Sequence, residues 1–235
     1  MHELKPHYAE TTDIVSSLKK NGFCVINAAN VAQWMNCSTQ ELKNLSLDWD
    51  NMPHDKYLKD GGRYRRRRHS SFVFEDNKLS KVPHRAHWQS LDYNALHGGM
   101  ERLFEPVTDS TIEKSAWTKI LNTLALTANQ ISHPVGKKWC IETHQFRIDT
   151  TDGIGRPTPE GAHRDGVHFV AVFMVCRKDI KGGETRVFDA NGPHGERFTL
   201  TEPWSLLLLD DTRMIHESTP IQPLNAFGYR DTLVV

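Results

Sequence analysis

The sequence is short of cysteine, lacks a long apolar run and carries no net charge. Its four cysteines stand far apart in 235 residues with no C-x-x-C pair, which excludes a cysteine-based zinc finger and argues against a disulfide framework. No apolar stretch approaches the roughly 18 residues that a membrane span requires. The 29 basic and 29 acidic side chains balance, so we expect no surface devoted to nucleic acid or to an anionic membrane.

The first residues also lack the cationic and then apolar layout of a secretory signal, so we expect a cytoplasmic protein. Hydrophobic residues make up 38% of the chain and charged residues 25%, which is enough apolar material for a buried core. Histidine is abundant, with 13 residues. Imidazole chemistry is therefore the first expectation for function.

The clearest helix signal spans residues 110–132. Ser110 and Glu113 fit a capping box there, and apolar residues follow them with helical spacing. The residues at 133–134 are His and Pro, which predict the end of the helix.

The second half of the chain has a different texture. Short β-prone runs alternate with Gly, Pro and Asp turns, at residues 139–148, 168–176, 184–190, 203–210, 214–218 and 228–235. Because no helix-length periodic segment interrupts these runs, they predict a sandwich or barrel rather than a βαβ sheet. The predicted fold class is mostly β with flanking helices (α+β), built on a jelly-roll core.

No internal repeat or low-complexity linker divides the chain, so we predict one domain over residues 1–235. In this domain, residues 1–135 are expected to form a helical and mixed buttress together with the elements on the substrate side. Residues 136–235 are expected to form the jelly-roll core.

His163, Asp165 and His216 are the candidate metal ligands and catalytic centre. His163 and Asp165 stand two apart in PEGAHRDGVHF, and residues two apart in an extended segment project to the same side. A third ligand must come from a neighbouring strand, and His216 follows shortly after the apolar run WSLLLL. Two histidines and one carboxylate on one face, with the opposite face open, form the facial triad of non-haem Fe(II) oxygenases.

Two alternatives compete with this interpretation. The H-x-D pair alone is weak, because a hydrogen-bonded surface turn has the same spacing. His168 is a rival ligand, since HRDGVH also offers two histidines and a carboxylate. However, His168 begins the apolar run HFVAVFMV, so we expect it to be structural.

Arg230 and Thr232 share one face of the final predicted strand. An arginine that faces the inside of a barrel is costly unless it meets an anion. A guanidinium matches a carboxylate with two hydrogen bonds, and the threonine hydroxyl can donate one more. The two residues are therefore candidates for binding a cofactor carboxylate, although a solvated edge strand would also tolerate Arg230.

H-x-D, a distal histidine and Arg-x-Thr on the final strand together resemble the signature of Fe(II)/2-oxoglutarate-dependent dioxygenases. THQFRI, PTPEGAHRDGVHFVAV, GGETRVFD and GYRDTLVV look like a small bacterial group of free amino-acid hydroxylases, typified by L-isoleucine 4-hydroxylase. GGRYRRRRHSSF and HWQSLDYNALHGGMERLF extend the resemblance upstream, so it covers most of the chain.

The resemblance implies a double-stranded β-helix in which the three predicted ligands hold Fe(II). 2-Oxoglutarate would chelate the metal and place its distal carboxylate on Arg230 and Thr232, and O2 would take the remaining position. The implied reaction hydroxylates an unactivated C–H of a free L-amino acid, aliphatic or related, and releases succinate and CO2. The implied cofactors are thus Fe(II), 2-oxoglutarate as co-substrate and O2, with ascorbate as the reductant in vitro.

The arginine run at 63–69 offers candidates for substrate binding. In an extended conformation Tyr64 and Arg66 fall on one face, and Arg65 and Arg67 fall on the other. We assign Arg66, with Tyr64 beside it, to the carboxylate of an amino-acid substrate.

Three further residues are candidate substrate contacts. If residues 139–148 form a strand, Gln145 and Arg147 share a polar face opposite His144 and could touch substrate or co-substrate. Arg147 could equally be buried with a structural carboxylate. Trp88 is a candidate wall of the pocket.

Three other functions stay open at this point. The run at 63–69 could dock a nucleic acid or a protein onto the same oxygenase chemistry, although a neutral chain has no broad basic footprint and we expect no nucleic-acid partner. A zinc hydrolase could use the same three ligands, but it leaves Arg230 without a task. A non-catalytic jelly-roll module would bind no metal.

Overall fold

The computed structural model describes residues 4–94, 96, 98–132 and 138–235. Its helices are α1 (Ile14–Asn21), α2 (Ala28–Trp34), α3 (Thr39–Ser46), α4 (Asp109–Ile112) and α5 (Ser115–Ile131), with 3-10 turns at Thr11–Asp13 and Leu47–Trp49. Its strands are β1 (Phe23–Ile26), β2 (Arg65–Glu75), β3 (Lys78–Lys81), β4 (Trp139–Asp149), β5 (Phe169–Lys178), β6 (Ile180–Gly182), β7 (Thr185–Asp189), β8 (Gly195–Phe198), β9 (Leu206–Asp210), β10 (Met214–Ser218), β11 (Ile221–Pro223) and β12 (Tyr229–Val234). None of the helices in these ranges has the length and apolar character to cross a bilayer.

Two antiparallel sheets form the jelly roll. The larger sheet has the strand order β1-β9-β5-β12-β4-β2-β3, the smaller sheet has the order β10-β7-β8, and β11 pairs separately with β6. Val170 and Leu209 of the larger sheet share a buried cluster with Val187 and Met214 of the smaller sheet. The inner faces of the two sheets therefore pack on each other, and the predicted jelly-roll core is confirmed.

The helices cover the outer face of the larger sheet. Trp117, Ile120 and Leu121 of α5 are buried there, in a cluster that includes Phe173 and Leu206 from the sheet. Removal of apolar surface from water contributes about 25 cal/mol per Å², so this layer is a main source of stability. On the inner face of the sheet, the polar side chains gather on β2, β4 and β12.

The predicted boundary between residues 135 and 136 does not divide the sheet. β1 pairs with β9, and β2 pairs with β4 from Arg65 opposite Ile148 to Phe74 opposite Trp139. β2, from the N-terminal half, is thus part of the larger sheet of the jelly roll. Its first residues are arginines on both faces, so they show none of the apolar alternation that marks a strand.

The predicted single helix over 110–132 is wrong at its start. The chain forms α4 and α5 there, separated by Glu113 and Lys114, and Lys114 is extended with φ of −66° and ψ of 134°. Thr108 is the N-cap of α4, so Ser110 lies inside that helix and does not cap it. The predicted stop at residues 133–134 lies outside the described residues.

Trp49 ties the helical layer to the larger sheet. The side chain is fully buried, and its Nε1 donates to the carbonyl oxygens of Phe146 at 3.1 Å and Thr232 at 3.2 Å. These two residues lie opposite each other in β4 and β12. The indole meets Trp204 edge-on, with ring centroids 6.3 Å apart. One side chain thus fills the core and satisfies the backbone of two strands that line the inner face.

We expect Trp49→Ala to lower the free energy of unfolding by about 3–5 kcal/mol, because it opens a cavity and leaves two buried carbonyl groups unpaired. Trp49→Phe keeps an aromatic ring and loses the N–H, so its cost is expected near 1–3 kcal/mol. Urea denaturation followed by circular dichroism measures both values. Leu47→Ala, at a position 66% exposed, is the control. Wild-type stability of Trp49→Ala would contradict this role.

Candidate functional site

A cavity of about 430 Å³ opens on the inner face of the larger sheet. Side chains of β2, β4, β5 and β12 line it on one side, and residues of β10 and of the loops at 85–94 and 157–167 line it on the other. Its volume is within the range of small-molecule pockets.

Strand pairing brings His163, Asp165 and His216 together in this cavity. The backbone N–H of His163 donates to the carbonyl of His216 at 3.0 Å, and the reverse hydrogen bond is 2.9 Å long. Nε2 of His163 lies 3.7 Å from Oδ1 of Asp165, and Nε2 of His216 lies 3.7 Å from Oδ2. One possible ligand atom from each residue lies within 4.8 Å of the other two.

Asp211 shapes the loop that carries Asp165. Its carboxylate accepts hydrogen bonds from the backbone N–H groups of Asp165, Gly166 and Val167 at 2.9, 2.8 and 3.1 Å. Gly166 has a φ of +81°, and a Cβ at this position would collide with the ring of Tyr93. The loop is therefore held from two sides.

Two further contacts orient the ligand atoms. Nδ1 of His163 lies 2.8 Å from the carbonyl oxygen of Gly161, which places a proton on Nδ1 and leaves Nε2 to face the cluster. Gln89 Nε2 donates to the carbonyl oxygen of Asp165 at 3.1 Å and to its Oδ1 at 3.3 Å. The carboxylate is thus held in place before any ion binds.

Without a metal ion, the positive charge of His163 balances the negative charge of Asp165. Burial lowers the pKa of His163, but the nearby carboxylate of Asp165 outweighs it and raises that pKa to about 9. Burial likewise opposes ionisation of Asp165, yet the two histidines hold its pKa below the ordinary value. Burial lowers the pKa of His216 to about 4. A metal cation would take the place of the proton as the positive partner of the carboxylate.

Arg230 and Thr232 project from β12 into the same cavity. Arg230 is 4% exposed, its Nε has no hydrogen-bond partner, and no carboxylate of a described residue lies within ion-pairing distance of it. Burial, followed by the charge of Arg177, lowers the pKa of Arg230 to about 10. A buried guanidinium without an anion is costly, so this position suits a bound carboxylate.

The face of β2 that we assigned to the substrate points away from the cavity, and its other face lines the cavity. Arg65 and Arg67 line the cavity, whereas Tyr64 and Arg66 do not. The hydroxyl of Tyr64 donates to Asp60 at 2.7 Å, and Nε of Arg66 lies 3.5 Å from a carboxylate oxygen of β4. The assignment of Tyr64 and Arg66 as substrate contacts is therefore wrong, because alternate residues of a strand face opposite sides.

In β4, too, the residues that we predicted to face the cavity are those on the other side of the strand. Gln145 is fully buried away from the cavity, and Arg147 pairs with Asp231 through bonds of 2.8 and 2.7 Å. Their assignment as substrate contacts is wrong, and the alternative of an Arg147 bound to a structural carboxylate describes the structure. Glu142 and His144 line the cavity instead.

The two remaining candidates lie in different places. Trp88 lines the cavity and is 59% exposed, so it forms part of the rim. His168 packs edge-on against Trp139, with ring centroids 5.5 Å apart, and does not join the cluster of possible ligands.

No sequence pattern indicated the residues that hold the candidate ligands in place. Asp211 lies 46 residues from Asp165, and Gln89 lies 76 residues from it. Local patterns carry no signal for contacts over such separations. Glu142 and His144, in contrast, could have been found by taking the other parity of the predicted strand.

Two imidazoles and one carboxylate, gathered in a jelly-roll cavity with a buried and uncompensated arginine, are the arrangement typical of mononuclear non-haem iron oxygenases. The donor set fits Fe(II), because the cavity leaves one side of the cluster open. The family model described as 2OG-Fe dioxygenase matches residues 47–235, and the chain belongs to this family. No curated protein matches the chain.

Several solved structures are similar to this chain. A bsmA homolog from Methylobium petroleophilum PM1 is 47% identical, with a TM-score of 0.92 over 100% of this chain and 95% of that chain. IDO from Bacillus thuringiensis is 20% identical, with a TM-score of 0.78 over 96% of this chain and 97% of that chain. The Fe(II)/(alpha)ketoglutarate-dependent dioxygenase TqaL is 19% identical, with a TM-score of 0.74 over 95% and 85%. At these identities the last two share the fold.

We expect the variants His163→Ala, Asp165→Ala and His216→Ala each to lose tight binding of one divalent metal ion per chain, because each removes one of three ligands. Anaerobic titration with Fe(II), and with Co(II) as a spectroscopic probe, measures the stoichiometry. His168→Ala is the matched control and should bind metal as the wild type does. Metal loss only in His168→Ala, or full binding in all three other variants, would contradict the assignment.

Gln89→Ala is expected to weaken metal binding about 10- to 100-fold without unfolding the protein, because it releases the Asp165 carboxylate from its orienting hydrogen bond. The same Co(II) titration measures the affinity, and thermal unfolding reports on the fold. Gln40→Ala, on the exposed surface of α3, is the control. An affinity equal to that of the wild type would show that Gln89 does not position the carboxylate.

Proposed function

We propose that the protein is an Fe(II)/2-oxoglutarate-dependent dioxygenase that hydroxylates an unactivated C–H of a free L-amino acid, aliphatic or related. The observation that carries this proposal is the presence in one cavity of the His163, Asp165 and His216 cluster and the buried Arg230. A zinc hydrolase would use the cluster, but it would leave the guanidinium without an anion.

Fe(II) held by the cluster would supply the redox chemistry that couples O2 and 2-oxoglutarate to oxidation of a C–H bond. The residues of the chain position the reactants. Arg230 would bind the distal carboxylate of 2-oxoglutarate, and Thr232 would donate its hydroxyl to the same group. Overall, 2-oxoglutarate loses CO2 and takes one oxygen atom to become succinate, and the substrate C–H takes the other to become C–OH.

The charge of the cavity wall supports an amino-acid substrate. Arg65, Arg67 and Arg102 line the wall, and within the described part of the chain the one with a carboxylate partner is Arg65, whose Nε lies 2.7 Å from Asp55. A wall with uncompensated cations suits a substrate that brings a carboxylate. The resemblance of the sequence to free amino-acid hydroxylases points to the same class.

The basic run at 63–69 gives little support to a nucleic-acid or protein substrate. Arg65 and Arg67 point into the cavity, and Arg68 donates to the carbonyl groups of Pro106 at 3.0 Å and Asn51 at 3.1 Å. These cations are engaged inside the protein and form no continuous exposed face for a phosphate backbone.

The single-domain organisation and the cytoplasmic location stay predictions.

Purified protein with Fe(II), ascorbate and a pool of L-amino acids is expected to convert 2-oxoglutarate to succinate. Mass spectrometry of the pool should find at least one amino acid that gains one oxygen atom only when 2-oxoglutarate is present. If a peptide or oligonucleotide stimulates succinate formation and no amino acid does, the substrate class is wrong. If no condition yields succinate, the reaction class is wrong.

Arg230→Met tests the co-substrate site in the same assay. Removal of one partner of a buried charge pair should raise the KM for 2-oxoglutarate about 30-fold or more. Arg197→Met removes an exposed arginine of β8 and is the control.

A further inference from the structure

A second cluster of imidazoles surrounds a carboxylate on the cavity wall. Oε2 of Glu142 lies 2.5 Å from Nδ1 of His87 and 3.7 Å from the Nε2 atoms of His69 and His144. The rings of His69 and His144 stack, with centroids 4.7 Å apart. The function proposed above assigns no task to this cluster, although its residues could also be ligands of a metal.

The tautomer of His144 argues against a metal ion in this cluster. Nη2 of Arg67 lies 2.9 Å from Nδ1 of His144, and a guanidinium can only donate hydrogen bonds. Burial lowers the pKa of His144 well below its ordinary value, so the ring is neutral. Its proton is therefore on Nε2, the atom that faces Glu142. An N–H in this position suits a hydrogen-bonded carboxylate and leaves no lone pair for a cation.

Glu142 is held as an anion with one oxygen available. Burial alone would raise its pKa, but the three surrounding histidines, of which His87 is within hydrogen-bond distance, keep the pKa well below the ordinary value. The side chain is 32% exposed, and the nearest cation to Oε1 among the described residues is the exposed Arg85, with Nη2 at 4.0 Å. A carboxylate oxygen of this kind suits a small cationic group that enters the cavity.

Arg67 is a buried cation on the other side of the His144 ring from this carboxylate. Phe104 and Phe146 cover its guanidinium, with ring centroids 4.0 and 4.6 Å from the central carbon. Arg67 is 5% exposed, its Nε has no hydrogen-bond partner, and none of the described carboxylates lies within ion-pairing distance. Burial and the charge of Arg65 lower its pKa to about 9, so it stays charged at neutral pH. Such a group is costly to bury unless a ligand anion meets it.

We propose that Arg67 and Glu142 form a receptor for the two charges of a free α-amino acid, with Arg67 binding the carboxylate and Glu142 binding the ammonium group. His144 contacts both residues, so the guanidinium and the carboxylate stand about one imidazole ring apart on the cavity wall. An α-amino acid carries its two charges on a single carbon atom, which suits this short separation. The inference rests on the proposed function and names the residues that would recognise its substrate.

The receptor separates a free amino acid from related molecules. A residue within a peptide carries neutral amides in place of both charges, and it would leave Arg67 and Glu142 unpaired. A simple carboxylic acid such as 2-oxoglutarate offers nothing to Glu142. The carboxylate of the amino acid and the distal carboxylate of 2-oxoglutarate are thus sorted between Arg67 and Arg230.

The test compares three pools as stimulants of succinate formation: L-amino acids, their carboxamides and their deaminated acids. The wild type should respond to the amino-acid pool at the lowest concentration. Glu142→Gln should raise the half-saturating concentration of that pool about 30-fold or more and lose the preference over deaminated acids. Arg67→Met should show a similar loss and give up the preference over carboxamides. Arg67→Lys keeps the charge without the planar fork, so its half-saturating concentration should lie between those of the wild type and Arg67→Met.

Matched controls separate recognition from folding. Arg66→Met removes the neighbouring arginine on the opposite face of β2, and Glu75→Gln removes an exposed carboxylate of the same strand, so both should keep wild-type half-saturation. Glu160→Gln tests a rival partner for the ammonium group, because its Oε1 lies 3.5 Å from Nε2 of His163. Co(II) binding and thermal unfolding verify that each variant is folded.

The outcomes distinguish this inference from the proposed function. If the amino-acid pool stimulates the wild type, and folded Glu142→Gln and Arg67→Met keep its half-saturation and preferences, the receptor is wrong and the proposed function stands. Loss of the amino-group preference in Glu160→Gln alone would also overturn it. If only the carboxamides stimulate the wild type, both the substrate class and the receptor are wrong.

Discussion

The site depends on the two backbone hydrogen bonds that join His163 and His216. This pairing connects the loop at 157–167 to β10 of the smaller sheet, so two imidazoles on distant parts of the chain face the same point. Asp165 is held next to them because its backbone N–H donates a hydrogen bond to the carboxylate of Asp211. Because main-chain pairing sets these positions, the ligand geometry is a property of the fold more than of the side chains.

The division of labour between the two faces of the larger sheet explains how so much charge is tolerated inside. Helices and apolar residues such as Trp117 and Phe173 stabilise the outer face. The inner face carries the buried Arg67 and Arg230 and the partly exposed Glu142 into the cavity. A protein can retain charges of this kind when ligands neutralise them. Because the unpaired charges are unfavourable in the empty cavity, ligands of opposite charge are bound in preference to neutral ones.

The sequence allowed prediction of the parts of the site that lie close together or at a chain end. The H-x-D spacing marked His163 and Asp165, and the parity of the last strand was correct for Arg230 and Thr232. Parity failed in β2 and β4 because both faces of these inner strands are buried and polar, so alternation of apolar and polar residues gives no direction. Gln89 escaped notice for a different reason, since its contact with Asp165 exists only in the folded chain.

The contact between Gly166 and Tyr93 limits how the enzyme can change its access route. The loop that bears Asp165 and the loop that borders the cavity touch at this point. The ring of Tyr93 leaves no room for a Cβ at position 166, and the positive φ of Gly166 would strain any other residue there. Of these two residues, Tyr93 therefore tolerates substitution and Gly166 does not. A smaller residue at position 93 relieves this contact without straining the backbone, whereas a side chain at position 166 would displace the loop that carries Asp165.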